Sequence, residues 1–208
     1  DTYHFVTPPA PGAEASITMV AISDMQMDSS NPTQFEQIVD DGIIDFMTET
    51  FGGDLADSLG LVLIPGDLVE NGSVYSQWAD QFFAQIDDLA RTVPIYPVMG
   101  NHENDSDNFL KYFHLPENGT PGYEEHWWWM DQSNVRIIGL DSNSSYRITD
   151  QLDWLETLLA DTCDDPSIDF VFAQLHHPHL SELWIAGEID FTGDVIDRLE
   201  SFSTSCGK

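Results

Sequence analysis

Short apolar runs rich in β-branched residues alternate with helix-patterned stretches along nearly the whole chain, and this alternation restricts the fold more than any other feature. "SITMVAIS" (16 to 23), "LVLIPGD" (61 to 67), "IYPVMG" (95 to 100) and "DFVFAQLHH" (169 to 177) read as strands. Between them, "PTQFEQIVDDGIIDFMTETFG" (32 to 52), "SVYSQWADQFFAQIDDLA" (73 to 90), the short "DSDNFLKYF" (105 to 113), "ITDQLDWLETLLAD" (148 to 161) and "DFTGDVIDRLESFS" (190 to 203) carry apolar residues at helical spacing. One element differs: "EEHWWWMDQSNVRIIGLDS" (124 to 142) reads as two strands joined by a turn at Gln132, Ser133 and Asn134. Such a pattern predicts an α/β chain of βαβ units with a largely parallel sheet, to which the hairpin adds an antiparallel portion. No repeat, low-complexity tract or linker divides the chain, so a single domain over 1 to 208 is expected.

The strands end alike. "VAISD" delivers Asp24, "LIPGD" Asp67, "VMGNH" Asn101 and His102, "IIGLD" Asp141, and "FAQLHH" His176 and His177. Open α/β sheets bind ligands outside the carboxyl ends of their strands, so these side chains are expected on one rim. Bare carboxylates gathered there would repel one another; oxygen ligands with imidazoles suit hard or borderline divalent cations, and the cluster implies metal.

Asp24-Met-Gln26, Gly66-Asp67-Leu-Val-Glu70-Asn71-Gly72, Gly100-Asn101-His102-Glu103 and Val171-Phe-Ala-Gln-Leu-His176-His177-Pro178 together resemble the motifs of the calcineurin-like metallophosphoesterase superfamily, and within it the purple acid phosphatase relatives. "LDSNSS…QLDWLETLL" (140 to 159) resembles the segment after the third motif. The resemblance implies an α/β/β/α sandwich that hydrolyses phosphate esters with two divalent ions (Mn, Zn or Fe) and a bound hydroxide. It makes Asp24 a ligand of the first metal, Asp67 the bridging carboxylate, Asn101 and His176 ligands of the second, and His102 the proton or hydrogen-bond donor near the leaving group. The expected substrate is a small-molecule phosphate monoester. A phosphodiesterase or nucleotidase would share every motif, and a catalytically silent metal-binding module is the third reading.

Three departures bear on these expectations. Gln26 stands where the family has His or Gly, and its carbonyl oxygen can still coordinate, more weakly than imidazole. Glu70 replaces the tyrosine of the purple phosphatases, so their iron chemistry is not expected. No histidine follows His179, so the family's last Gly-His-any-His motif is missing. Either the chain is a fragment with the C-terminal part of the fold absent, or a separate chain supplies that part, or the site is incomplete.

Other features are assigned blander roles. His177 and His179 flank Pro178 and are expected to shape a loop; His4, His114 and His126 are left as structural or surface residues. Asp141, Ser142 and Asn143 suit a turn or cap. In the "WWW" run (127 to 129) successive side chains alternate faces, which favours packing over a base-stacking platform.

Charge narrows the partners. Acids outnumber bases 37 to 6, the net charge is −31, and Lys111 and Lys208 are the only lysines, so general nucleic-acid binding is not expected. An acidic, lysine-poor surface suits a saline, marine or halophilic setting. No segment approaches the roughly 20 continuous apolar residues of a spanning helix, and no membrane partner is expected. The chain begins at Asp1 without methionine, so removal of a signal or an upstream domain is expected, with a secreted or periplasmic location. Cys163 and Cys206 each follow a helical stretch near the expected start of a strand; if those strands are neighbours a disulfide is geometrically possible, and two buried thiols are the alternative.

Overall fold

The computed structural model describes residues 3–27, 29–182 and 187–208. They fold as two compact units, the first built from the stretch ending at Pro8, from Ser16–Pro97 and from Asn101–His114, the second from Pro9–Ala15, Val98–Gly100 and Leu115–Lys208.

In the first unit, strands β1 (Met19–Ala21), β2 (Leu61–Pro65) and β3 (Ile95–Val98) form one sheet in that order. β1 and β2 run parallel, Met19 opposite Leu61. β2 is central, and Leu61, Val62 and Ile64 are wholly buried, as expected of a continuous apolar strand covered on both faces. The helix expected over 32–52 is α1 (34–51), α-helical at Gln34–Gln37 and Phe46–Phe51 and π-type over Ile38–Asp45. A short α2 (Leu55–Ser58), not anticipated from the pattern, follows it, capped by Asp54, whose carboxylate accepts the Ala56 N–H at 3.1 Å. α3 (75–90) carries a π-type turn at Trp78–Phe83 and buries Trp78, Phe82, Ile86 and Leu89. α4 (Asp107–Tyr112) is capped by Ser106, and its Phe109 lies with Phe113 against Trp78.

In the second unit, β4 (Trp128–Gln132) and β5 (Val135–Gly139) form the expected antiparallel hairpin, and β5 pairs in parallel with β6 (Phe170–Gln174). The turn is tighter than expected: Gln132 still pairs with Val135, and Ser133 takes a left-handed φ of 56°. Gly139 lies opposite Trp128, where a Cβ would stand 2.4 Å from the indole, so the bare backbone lets the ring cross the strand. Trp127 and Trp128 are buried and Trp129 stacks under the Arg136 guanidinium, which makes the "WWW" run a packing element. Helices α5 (Thr149–Asp164) and α6 (Asp190–Cys206) bury Leu155, Leu158, Leu159, Val195 and Phe202 with Ile138 and Leu140 in one core. A two-residue pair, β7 (Leu180–Ser181) with β8 (Gly187–Glu188), was not anticipated.

Cys163 and Cys206 are bonded, with their Cα atoms 5.7 Å apart. Neighbouring strands are not the reason, contrary to the sequence argument: Cys163 lies in the last turn of α5 and Cys206 ends α6, so the bond ties two helix ends together. Closing a loop across 43 residues lowers the entropy of the unfolded chain, worth about 4 kcal/mol in the loop-closure picture. Among the described residues no helix is long and apolar enough to cross a membrane.

Candidate metal centre

The loops after β1 and β2 each turn through a left-handed residue, and each time that residue is an aspartate: Asp24 at φ 57° and Asp67 at φ 58°. The loops run side by side, with the Asp24 N–H donating to Gly66 O at 3.3 Å and the Met25 N–H to Asp67 O at 3.0 Å. A carboxylate oxygen of Asp24 thereby lies within 4.8 Å of one of Asp67. Asp24 is exposed and touched by the Ser23 hydroxyl, whereas Asp67 is buried.

The loop after β3 supplies the next partners. The His102 N–H donates to Asp67 Oδ1 at 3.0 Å, and His102 Nε2 lies 3.9 Å from Asp67 Oδ2. His102 Nδ1 meets the backbone carbonyl of Glu70 at 2.8 Å. A carbonyl only accepts, so Nδ1 carries the hydrogen and Nε2 is the nitrogen turned toward Asp67. Glu70 thus acts here through its backbone, and its own N–H is held by Gln81 Oε1 at 2.9 Å. Asn101 opens this loop and accepts the Asn104 N–H at 3.2 Å through its carbonyl; the left-handed turn residues are Asn104 and Asp105. Glu103, singled out in no role from sequence, is fully buried and accepts the Asp67 and Leu68 N–H groups, both at 2.8 Å.

Gln26 tests the fit of a cation. Its Oε1 is buried without a hydrogen-bond partner among the described residues. This carbonyl oxygen, two residues from Asp24, is a donor that a divalent cation would satisfy, and two carboxylates close together are the oxygen ligands such a cation gathers. A cavity of about 380 Å³ adjoins Asp24 and Gln26, with Ile22, Met25, Phe35 and Ile38 among its apolar walls and the amides of Asn31, Gln34 and Gln85 also lining it.

His176 belongs to the second unit, just beyond β6, edge-on to His177 with ring centroids 4.9 Å apart. His177 is buried, its N–H donating to Ser142 Oγ at 2.9 Å while its own carbonyl accepts the Thr192 hydroxyl at 3.1 Å. His179 Nδ1 lies 3.1 Å from Ile189 O, so both histidines shape the loop. In the same unit the Asp141 carboxylate accepts the Asn143 N–H, forming a turn, and its other oxygen lies 2.9 Å from His126 Nδ1. The Asn143 amide donates to the carbonyls of Met99 and Gly100. His126, left among structural or surface residues, is thus the partner of a fully buried carboxylate.

The family model of calcineurin-like phosphoesterases matches residues 17–204. An Arabidopsis thaliana protein named "Probable inactive purple acid phosphatase 24" is 28% identical over 176 residues, which cover 76% of this chain and 28% of the relative. A Hordeum vulgare protein named "Nucleotide pyrophosphatase/phosphodiesterase" is 31% identical over 120 residues, covering 56% of this chain and 31% of the relative. Among solved structures, purple acid phosphatase PPD1 from yellow lupin seeds superposes with a TM-score of 0.63 at 23% identity, over 86% of this chain and 33% of that one. The mixed α/β fold is therefore the metallophosphoesterase fold, and the chain spans less than a third of the length of these two curated relatives.

Proposed function

The chain belongs to the calcineurin-like phosphoesterase family, and from that premise we propose that it hydrolyses phosphate monoesters with two divalent cations, with Asp24, Gln26, Asp67 and Asn101 of the first unit among their ligands. The observation that carries this reading is the pair of left-handed aspartates with carboxylates within 4.8 Å of each other, and the orphaned Gln26 oxygen two residues from Asp24 supports it. Mn, Zn or Fe would suit these donors. When bound, such cations supply Lewis acidity and a water that ionises near about pH 7 for in-line attack on phosphorus. Glu70 O fixes Nδ1–H of His102 and so sets Nε2 as the nitrogen that faces inward, where the protonated ring would donate to the departing oxygen. The adjoining cavity offers the leaving group a wall of mixed apolar and amide side chains. A disulfide between helix ends supports an extracytoplasmic location.

Two other readings each have an observation behind them. The barley relative's name favours a diesterase or nucleotidase, and the word "inactive" in the Arabidopsis relative's name, with Gln26 in a ligand position, favours a silent metal-binding module. Incubation with Mn²⁺ or Zn²⁺ and a chromogenic phosphate monoester, then the matching diester, separates the three. Monoester turnover is expected; faster diester turnover replaces the reading, and metal binding without turnover of either leaves the silent module. In the same assay Asp67→Asn is expected to lose metal and turnover together. His102→Ala is expected to lower kcat by about 10²- to 10⁴-fold while keeping its Mn²⁺ affinity. Equal loss of metal in the His102 variant removes the proton-donor assignment.

A further inference from the structure

Glu103 takes no part in the reaction as just described, yet its carboxylate is the most completely enclosed acidic group around Asp67. Its side chain reaches from the loop after β3 to the loop after β2, where Oε2 accepts the Asp67 N–H and Oε1 the Leu68 N–H, each at 2.8 Å. In return the Asp67 carboxylate accepts the His102 N–H at 3.0 Å. The two loops are thereby cross-linked in both directions, each acid taking the backbone of the other's loop. Further along the loop after β2 the same two loops meet again: the Gly72 N–H donates to His102 O at 2.8 Å, and a Cβ on Gly72 would lie 2.2 Å from Glu103 O.

We infer that Glu103 is a positioning residue, whose buried carboxylate clamps two successive backbone N–H groups so that Asp67 stays left-handed and presents its carboxylate to the cations. The inference rests on the reading of Asp67 as a metal ligand. Two parallel N–H donors call for two acceptors on one planar group, which a carboxylate has and a primary amide lacks. A charged acceptor also makes the stronger bonds in a buried place. A left-handed aspartate relaxes readily toward other backbone conformations, so loosening either N–H lets its carboxylate turn away from the cation position. Groups that orient metal ligands from outside the coordination sphere typically govern metal affinity by about 10- to 100-fold.

The test compares wild type, Glu103→Gln and Ser106→Ala in two measurements on the metal-free protein: Mn²⁺ titration by calorimetry, and amide hydrogen exchange at Asp67 and Leu68. Ser106 lies in the same loop, donates to Gly72 O and caps α4 without touching the Asp67 backbone, so it controls for mere loosening of the loop. Glu103→Gln is expected to weaken Mn²⁺ binding by about 10- to 100-fold and to speed exchange at both amides by at least about tenfold, with Ser106→Ala within about twofold of wild type in both. An Mn²⁺ affinity unchanged in Glu103→Gln, or weakened equally in Ser106→Ala, overturns the inference. Wild type that binds no Mn²⁺ overturns the metal reading instead. Exchange then still decides whether the clamp exists, and unchanged exchange in Glu103→Gln removes that too. Should Glu103→Gln not fold, Glu103→Asp, one methylene too short to meet both N–H groups, is read in its place with the same expectations.

Discussion

Asp24 and Asp67 hold φ values of 57° and 58°, a backbone state that costs a residue with a Cβ about 1–2 kcal/mol. Gly72 is the residue on which the loops of this centre close, because its Cα faces the Glu103 backbone where a side chain has no room. Gly72→Ala would drive a methyl into Glu103 O at 2.2 Å and Glu103 Cα at 2.7 Å, both backbone atoms that cannot swing aside. Overpacking of this kind costs about 1–3 kcal/mol, read as a lower urea midpoint at unchanged m, with Mn²⁺ affinity falling alongside. An unaltered midpoint would mean that the loops give way freely. Much of this detail was legible in the sequence, because a polar residue ending a buried run announces a strand terminus whatever the fold around it. Asp24, Asp67, Asn101, His102 and His176 stand out in the sequence for that reason, each following an apolar run. Glu103 does not: periodicity says that a residue is buried but not which backbone groups its carboxylate meets 35 and 36 residues away. The His126–Asp141 pair escaped for the same reason, each partner being unremarkable in its own segment.

At the scale of elements, the longer strands and helices followed in type and order from the apolar spacing, whereas the short α2 and the β7–β8 pair did not, and the bounds moved where tertiary context decides them. β1 is only Met19–Ala21 of the eight residues read as strand, while α6 runs on to Cys206. The hairpin and α5 meet at Arg136, a buried cation that forks onto Asp131 with Nε–Oδ1 and NH2–Oδ2 both at 2.8 Å, donates to Thr162 Oγ1 at 2.6 Å and lies 3.6 Å from Asp165. Asp165, just past α5, has its pKa held below the usual carboxylate value, first by the Ser167 hydroxyl and then by the Ser167 N–H, with Arg136 and Lys208 adding to it. A carboxylate whose folded pKa is depressed stabilises the fold above its unfolded pKa of about 3.9, and that contribution disappears as pH falls through the folded value. Ser167→Ala should therefore lower Tm near neutral pH, and the two Tm curves should converge as the solution is acidified below about pH 4. Curves that stay parallel down to pH 2 would place the effect of Ser167 elsewhere than on this carboxylate.

For the molecule as a whole, family and fold class were the most legible features, since four motifs in order at strand ends leave few alternatives. The short β7–β8 pair and the division into two units carry no comparable pattern in the sequence. Charge is the remaining whole-molecule property, and it leads to a measurable consequence. With 37 acids against 6 bases, the folded chain concentrates a net −31 that unfolding would spread over a larger volume, so self-repulsion opposes folding. At about 0.01 M salt the screening length is about 30 Å, long enough for each surface carboxylate to feel many others; at about 1 M it is about 3 Å, and only immediate neighbours count. Pairing offsets little of this: Arg91 holds Asp87 and Asp88 on an exposed helix end, a kind of contact worth at most about 1 kcal/mol. Adding NaCl from 10 mM to 1 M is therefore expected to raise Tm steadily, by about 2–4 °C for each kcal/mol of repulsion removed in a chain of this size. Sucrose, which stabilises by exclusion without screening, should give no matching dependence on ionic strength. A Tm that is flat or falls with NaCl would show that the acidic surface is not under net repulsive strain, and would remove the physical ground for proposing a saline habitat.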